Sequence, residues 1–179
     1  MKTYIVLFRG INVGGNGKLP MKDLVAVLEG LGLQGVRTYI QSGNAVFRGE
    51  VMATAQLAEK IAAAIEKSHG FAPWVRLLEA PLLQQAIERN PYPEAEAAPA
   101  TLYVNFLAAV PPKPDLDGLE KRRAASERFL LAGDVLYLHA PDGIGRSKLA
   151  AGMERLLGVP MTSRNWNTVL KLRDMAREA

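Results

Sequence analysis

The sequence contains no cysteine, so the protein has no disulfide bond, no thiolate nucleophile and no metal site built on cysteine. Histidine occurs only twice, as His69 and His139, and neither has a second histidine or a carboxylate at a spacing typical of metal sites. The G-x-S-x-G motif of serine hydrolases is missing as well. We therefore expect no bound metal or cofactor, and the sequence leaves open whether the protein is an enzyme.

Long hydrophobic runs are missing too, since no apolar stretch is long enough to cross a bilayer. The first ten residues resemble a strand rather than a signal peptide, because their apolar run is short and no cleavage site of small residues follows it. We expect a cytoplasmic protein without membrane contact. Aromatic residues make up only 7% of the chain, which leaves few side chains for stacking nucleic-acid bases.

The 179 residues suit one domain or two small ones, and 49% of them are hydrophobic, which is enough to form a core. The formal net charge is +4. All of the excess lies in residues 143–179, which hold seven lysines and arginines but only three acids. This uneven distribution indicates either an anionic partner near the C-terminus or a solvated basic surface.

The hydrophobic pattern predicts the element order βαββαβ twice, followed by a closing helix. The second repeat includes a helix over 116–128 and a hairpin that turns at Gly133 and Asp134. We predict an α+β fold of two tandem ferredoxin-like subdomains, each an antiparallel four-stranded sheet with helices on one face. The predicted boundaries are residues 1–80 for the first subdomain, 81–100 for a helix and Pro/Ala-rich linker, and 101–179 for the second subdomain with the C-terminal helix.

Four clusters of glycine and polar residues are candidate binding sites, and the first follows strand one. Its sequence, RGINVGGNGK, matches neither the Walker A motif nor the dinucleotide-binding motif. Its glycines would still let backbone N–H groups converge on an anion, and the next helix adds its positive end. The loop is either an anion-binding loop or a tight structural turn. The candidate ligand-binding residues are Arg9, Gly10, Asn12, Gly14, Gly15 and Lys18.

The second cluster is the turn between strands two and three, with Gln41, Ser42 and Asn44 as candidate ligand-binding residues. The predicted topology places this turn at the same end of the sheet as the glycine loop. Side-chain amides can bind a polar ligand through paired donors and acceptors. They are equally suited to holding the neighbouring glycine loop in place, and we favour that second role.

The third and fourth clusters lie in the basic C-terminal part. In GIGRSKL, the candidate residues Arg146, Ser147 and Lys148 form either a second anion site or a helix start capped by Ser147 beside exposed cations. In TSRNWNT, the candidates Arg164, Asn165 and Trp166 could bind a nucleic-acid base by stacking and hydrogen bonding. A tryptophan at the start of a terminal helix is more often a core anchor.

Five segments in order, RGINVGG, LPMKDL, RTYIQSGNAVF, GIGRSKL and TSRNWNTVLKL, resemble a bacterial family known as domain of unknown function 1697. The resemblance extends from Tyr4 to Met175. It implies a cytoplasmic bacterial α+β protein with two related subdomains, and it implies no activity. The motifs shared with the family contain the four clusters described above.

These patterns favour binding of a phosphorylated or other anionic small molecule at the glycine loop, with Arg146, Ser147 and Lys148 joining if the two halves face each other. A second hypothesis is RNA or other nucleic-acid binding through the basic C-terminal segment, which an exposed basic face with Tyr103 and Trp166 pointing outward would favour. A third is a protein-interaction or dimerisation module in which the chain forms a homo-oligomer.

Overall fold

The computed structural model describes residues 1–41 and 43–179. The chain divides into two compact units, which we call unit 1, Met1–Gln85 with Lys171–Ala179, and unit 2, Ala86–Leu170. Each unit contains a four-stranded antiparallel sheet, and its elements follow the order βαββαβ. This confirms the predicted α+β fold of tandem ferredoxin-like subdomains with a C-terminal helix.

Unit 1 consists of β1 (Lys2–Arg9), α1 (Met21–Gly30), β2 (Gln34–Tyr39), β3 (Asn44–Gly49), α2 (Thr54–His69) and β4 (Trp74–Glu79). Its sheet has the order β2-β3-β1-β4, so β1 is an inner strand. Asn44 at the start of β3 pairs with both Leu7 of β1 and Tyr39 of β2. The loop after β1 and the turn after β2 therefore lie at the same end of this sheet.

The core of unit 1 follows from the alternation of side chains along β1. Tyr4, Val6 and Phe8 share one face of the sheet because successive strand residues point to opposite faces. They form a buried cluster with Leu28 of α1 and Ile61 of α2. The two helices thus cover one face of the sheet, and this packing fixes the strand ends that carry the first two sequence clusters.

The segment between the two βαββαβ repeats has regular structure. It contains α3 (Ala80–Glu88) and two short 3-10 helices, Pro93–Ala97 and Pro99–Thr101. Proline stands at the start of each 3-10 helix, where its missing N–H leaves no helical hydrogen bond unmade. The Pro/Ala-rich composition therefore produces short helical turns here.

Unit 2 contains β5 (Leu102–Leu107), α4 (Leu116–Arg122), β6 (Arg128–Ala132), β7 (Val135–His139), α5 (Lys148–Leu157) and β8 (Met161–Asn165). Its sheet order is β6-β7-β5-β8. Leu107 and Leu136 of the sheet form a buried cluster with Leu119 of α4 and Met153 of α5. The helix α6 (Trp166–Arg177) follows, and no helix in the described part of the chain has the length and hydrophobicity needed to span a membrane.

The helix predicted over 116–128 ends earlier than expected, at Arg122. Arg123 has an extended backbone, with φ −65° and ψ 127°. Its guanidinium donates to the Glu127 carbonyl at 2.8 Å, and the Glu127 carboxylate accepts the Ala124 N–H at 2.8 Å. Side chains that bond nearby backbone groups compete with helical hydrogen bonds, and here they end the helix.

Candidate functional site

The glycine loop, residues 10–19, folds as a miniature hairpin. The backbone groups of Val13 and Asn16 form two hydrogen bonds with each other, at 3.3 and 2.9 Å. Gly14 and Gly15 between them have φ values of 57° and 79°, as a type I′ turn requires. The loop therefore uses the N–H groups of Val13 and Asn16 internally, and those groups are not directed at an anion.

Asn12 connects the glycine loop to the turn after β2. Its N–H donates to the Gly17 carbonyl at 2.9 Å, and its side-chain Oδ1 accepts the Leu19 N–H at 2.8 Å. Its Nδ2 donates to the carbonyls of Leu19 at 2.8 Å and Gln41 at 3.0 Å. The expected proximity of the first two clusters is thus observed, and the side chain that joins them is engaged in holding both segments.

The turn after β2 is similarly tight. Gly43 has φ 96°, and a Cβ there would lie 2.5 Å from Cδ1 of Ile11. The Asn44 side chain is fully buried and donates to the Tyr39 carbonyl at 3.0 Å. Gln41 is exposed, whereas Ser42, the remaining candidate of this cluster, lies outside the described residues. Burial of Asn44 favours a structural role for its amide over contact with a ligand.

The start of α1 already has an acidic side chain in its first turn. That residue is Asp23, and its carboxylate lies 3.2 Å from Nε2 of His69. A carboxylate in the first turn interacts favourably with the positive end of the helix. Arg9 and Lys18 are exposed on either side of the loop, so cations do flank it.

The fourth cluster is part of the fold rather than an open surface. Trp166 is only 1% exposed, and Asn165 accepts the Thr168 N–H at 3.0 Å as an N-terminal cap of α6. Arg164 donates to the Thr162 hydroxyl at 2.7 Å, and burial lowers the pKa of Arg164 to about 10. The core-anchor interpretation of Trp166 agrees with this burial, and an Asn before a helical run is the sequence signal for the cap.

The third cluster lines a cavity of about 420 Å³ in unit 2, which we call the basic cavity. The connector after α4 forms one part of it, and the loop before α5 forms another. The charged residues in the lining are Lys121, Arg122, Arg123, Glu127, Asp142, Arg146 and Lys148. Sequence reasoning identified Arg146 and Lys148 but missed Lys121 and Arg122, whose only signal was a short charge run at a helix end.

Both acids of the basic cavity bond to neutral groups. Glu127 is 4% exposed, and its carboxylate accepts the Ala124 N–H at 2.8 Å and the Ser147 hydroxyl at 2.5 Å. Asp142 accepts the Ser126 hydroxyl at 2.7 Å. Neither carboxylate forms an ion pair with a described residue, and the five cations and two acids of the lining leave a formal net charge of +3.

The cations of the cavity fall into two kinds. Arg123 is tied into the fold, since it pairs with Glu120 at 2.8 Å and donates to a backbone carbonyl of the connector. The other four form no ion pair with any of the residues that the structure describes, and all four side chains are exposed: Lys121, Arg122, Arg146 and Lys148. A concave surface with such an excess of positive charge attracts anions.

The start of α5 adds to this positive potential. Ser147 caps the helix by accepting the Ala150 N–H at 3.0 Å, as its position predicted. The first turn of α5 contains no acid, unlike that of α1. The partial positive charge of the helix end is therefore directed toward the cavity, and the Glu127 carboxylate that accepts the Ser147 hydroxyl offsets part of it.

A solved structure of similar fold is the conserved bacterial protein SP0830 from Streptococcus pneumoniae. The two chains are 28% identical, the alignment covers 98% of each, and the TM-score is 0.66. No curated protein matches the chain. The family described as "Protein of unknown function (DUF1697)" matches residues 1–137, which include three of the five motifs that resemble it, while the motifs around Ser147 and Trp166 lie beyond the match. The chain therefore belongs to the DUF1697 family of proteins of unknown function.

Proposed function

We propose that this is a cytoplasmic protein that binds a phosphorylated or other anionic small molecule, and that the basic cavity is the main binding site. The observation that carries the proposal is the group of four cations around one concave surface that form no ion pair with a described residue. Cavities that bind small molecules commonly have volumes of about 300–1,000 Å³, so about 420 Å³ suits a compact ligand.

The cavity also has features that ordinary solvated cations lack. Lys121 and Arg122 lie in the last turn of α4, where cations complement the negative C-terminal end of the helix dipole. Arg146 belongs to a different segment, before α5, and still lines the same cavity. The positive charge of the cavity therefore comes from two segments, and the nearby acids bond to neutral groups. Both features support an anionic ligand.

The glycine loop after β1 is the second candidate location for such a ligand. Exposed Lys18 and the glycine-rich backbone support it. The hairpin bonds within the loop and the carboxylate of Asp23 at the start of α1 count against it. We therefore rank this loop below the basic cavity.

Nucleic-acid binding and an interaction or dimerisation role receive less support. Outward-facing Tyr103 and Trp166 would favour the nucleic-acid hypothesis, but Trp166 is buried and Tyr103 packs against the core of unit 2. The exposed large hydrophobic residues are spread over both units, for example Val13, Val51 and Leu130. Scattered exposed apolar residues are normal on monomeric proteins.

The test is a thermal-shift and calorimetric screen with inorganic phosphate, pyrophosphate, phosphosugars, nucleotides and short RNA, each at low and high salt. A ligand that binds the folded state raises the apparent stability by mass action. Arg146→Ala is expected to weaken binding about tenfold, the effect of losing one charged hydrogen bond. Arg155→Ala is the matched control, because Arg155 is an exposed cation of unit 2 outside the cavity.

The outcomes separate the two locations. Loss of binding in Arg146→Ala but not in Lys18→Ala supports the basic cavity, and the reverse pattern moves the site to the glycine loop. A response to RNA alone that disappears at high salt would replace the proposal with nucleic-acid binding. If the wild-type protein responds to no anion in the screen, the proposal is wrong.

A further inference from the structure

Gly152 lies in the middle of α5, where a glycine weakens the helix relative to alanine. The residue is buried. A Cβ at this position would lie 3.0 Å from Cδ of Arg122, and 3.1 Å from both its Nε and its Nη1. The side chain of Arg122 therefore lies against α5 in space that opens only because residue 152 has no side chain.

This contact brings Arg122 to the face of α5 that carries Lys148. Residues four apart in a helix share a face, so positions 148 and 152 are neighbours along α5. Arg122 occupies the position of a missing 152 side chain, and its guanidinium is placed beside the turn that begins with Lys148. Both residues line the basic cavity, and neither has an ion-pair partner among the described residues.

Two like charges on neighbouring side chains, here one from α4 and one from α5, repel each other. An anion that binds between the two side chains is attracted by both of them and offsets their mutual repulsion. The two side chains differ in a useful way, since Arg presents parallel N–H groups that match two oxygens of one phosphate, whereas Lys acts as a compact point charge. Together they suit a group with two negative charges and several acceptor oxygens.

We infer that Arg122 and Lys148 clamp a single phosphoryl group, and that Gly152 is the positioning residue that holds Arg122 in the clamp. The inference rests on the proposed function and narrows its ligand to a phosphate monoester or a related phosphorylated compound. A phosphomonoester carries about 1.5 to 2 negative charges at pH 7, which balances the two cations. A carboxylate carries one negative charge and leaves one of them unbalanced.

The experiment compares phenyl phosphate with benzoate by calorimetry at constant ionic strength, in the wild type and in three variants. These are Gly152→Ala, which displaces Arg122, Arg122→Lys, which keeps the charge but removes the parallel N–H groups, and Lys148→Ala. Gly30→Ala in α1 is the control for adding a methyl group to a helical glycine, because a Cβ there meets no atom within 4 Å.

We expect the wild type to bind phenyl phosphate at least about tenfold more tightly than benzoate, since two cations act on two charges rather than one. Gly152→Ala should weaken phenyl phosphate binding by about tenfold without lowering the melting temperature, because alanine favours the helix and the contact is with a flexible side chain. Arg122→Lys should give an intermediate loss. Gly30→Ala should bind like the wild type.

The inference and the proposed function can fail separately. If the wild type binds phenyl phosphate and both Gly152→Ala and Arg122→Lys bind it equally well, the clamp is wrong while anion binding is retained. Equal affinity of the wild type for benzoate and phenyl phosphate also overturns the clamp. If the wild type binds neither compound nor any anion of the wider screen, the proposed function fails and the clamp fails with it.

Discussion

The glycine loop of unit 1 and the basic cavity of unit 2 have similar sequence signals but different structures. Each combines glycines, cations and the start of a helix. In the loop, the polar atoms bond to one another, as Asn12 shows with its three side-chain hydrogen bonds. In the cavity, the two acids bond to nearby neutral groups, and four cations form no ion pair within the part of the chain that the structure describes.

This difference shows which feature of a sequence that combines glycines, cations and a helix start indicates a ligand. The fold accounts for a glycine that permits a turn or a close approach of the backbone, as Gly17 does within its loop. The fold does not account in the same way for a lysine or arginine that forms no ion pair with a described residue while the nearby acids bond to neutral groups. Unneutralised charge on a concave surface is therefore the more informative feature.

The largest expected effect tests the structural role of the glycine loop. Gly17 has φ 61°, and an added Cβ would lie 2.2 Å from the Gly10 carbonyl oxygen. We expect Gly17→Ala to lower the free energy of unfolding by about 3 kcal/mol or more, because the backbone must shift to relieve both clash and strain. Chemical denaturation monitored by circular dichroism measures this loss.

Gly145→Ala is the matched control, since Gly145 lies in the loop of the basic cavity and a Cβ there meets no atom within 4 Å. Its φ lies outside the left-handed region, so alanine fits and the stability should change by less than about 1 kcal/mol. If both substitutions lower the free energy of unfolding equally, the contrast between an internally hydrogen-bonded loop and an open cavity is wrong.

A smaller effect is expected from removing cations of the basic cavity. In the absence of ligand, the double variant Lys121→Ala/Arg146→Ala should keep its stability within about 0.5 kcal/mol, or gain slightly at low salt, because these cations have no acid to lose. Arg123→Ala should instead lose about 1–2 kcal/mol, since Arg123 pairs with Glu120 and bonds to backbone carbonyls. Urea denaturation at low and high salt provides both values.

A clear loss of stability in the double variant would show that Lys121 and Arg146 support the fold. The basic cavity would then resemble the glycine loop, and the comparison between the two regions would lose its basis. A gain at low salt that disappears at high salt would agree with mutual repulsion between unneutralised charges.

The fold was largely predictable because its signals are local. Alternating apolar residues identified the strands, and helical periodicity identified most helices. The errors occurred where side chains override these signals. The end of α4 depends on Arg123 and Glu127 bonding to backbone groups, and sequence periodicity does not show such bonds.

The candidate site was predictable only in part, for a physical reason. Arg146, Ser147 and Lys148 are adjacent in sequence and precede a helix, so a local pattern identifies them. Lys121 and Arg122 reach the same cavity through the packing of α4 on α5, which is a tertiary effect. Gly152 inside a helical pattern indicates a close approach at its own position, but it does not indicate which residue approaches.

The two units also differ in the environment of their histidines, and this predicts the smallest effect. In unit 1, Nε2 of His69 lies 3.2 Å from a carboxylate oxygen of Asp23. In unit 2, Nδ1 of His139 accepts a hydrogen bond from Arg128 at 3.0 Å. Burial, followed by the charge of Arg128, lowers the pKa of His139 from 6.5, while Glu94 acts in the opposite direction.

Because the pKa of His139 is lower in the folded state, the unfolded chain binds more protons when the pH falls through 6.5 toward that lowered value. This histidine therefore contributes a loss of stability as the pH decreases from about 7 to 5, and no contribution at pH 8, where it is neutral in both states. His139→Gln should reduce the slope of unfolding free energy against pH in this window. An unchanged slope, measured by urea denaturation at pH 5, 6, 7 and 8, would show that the environment of His139 does not disfavour its protonated form.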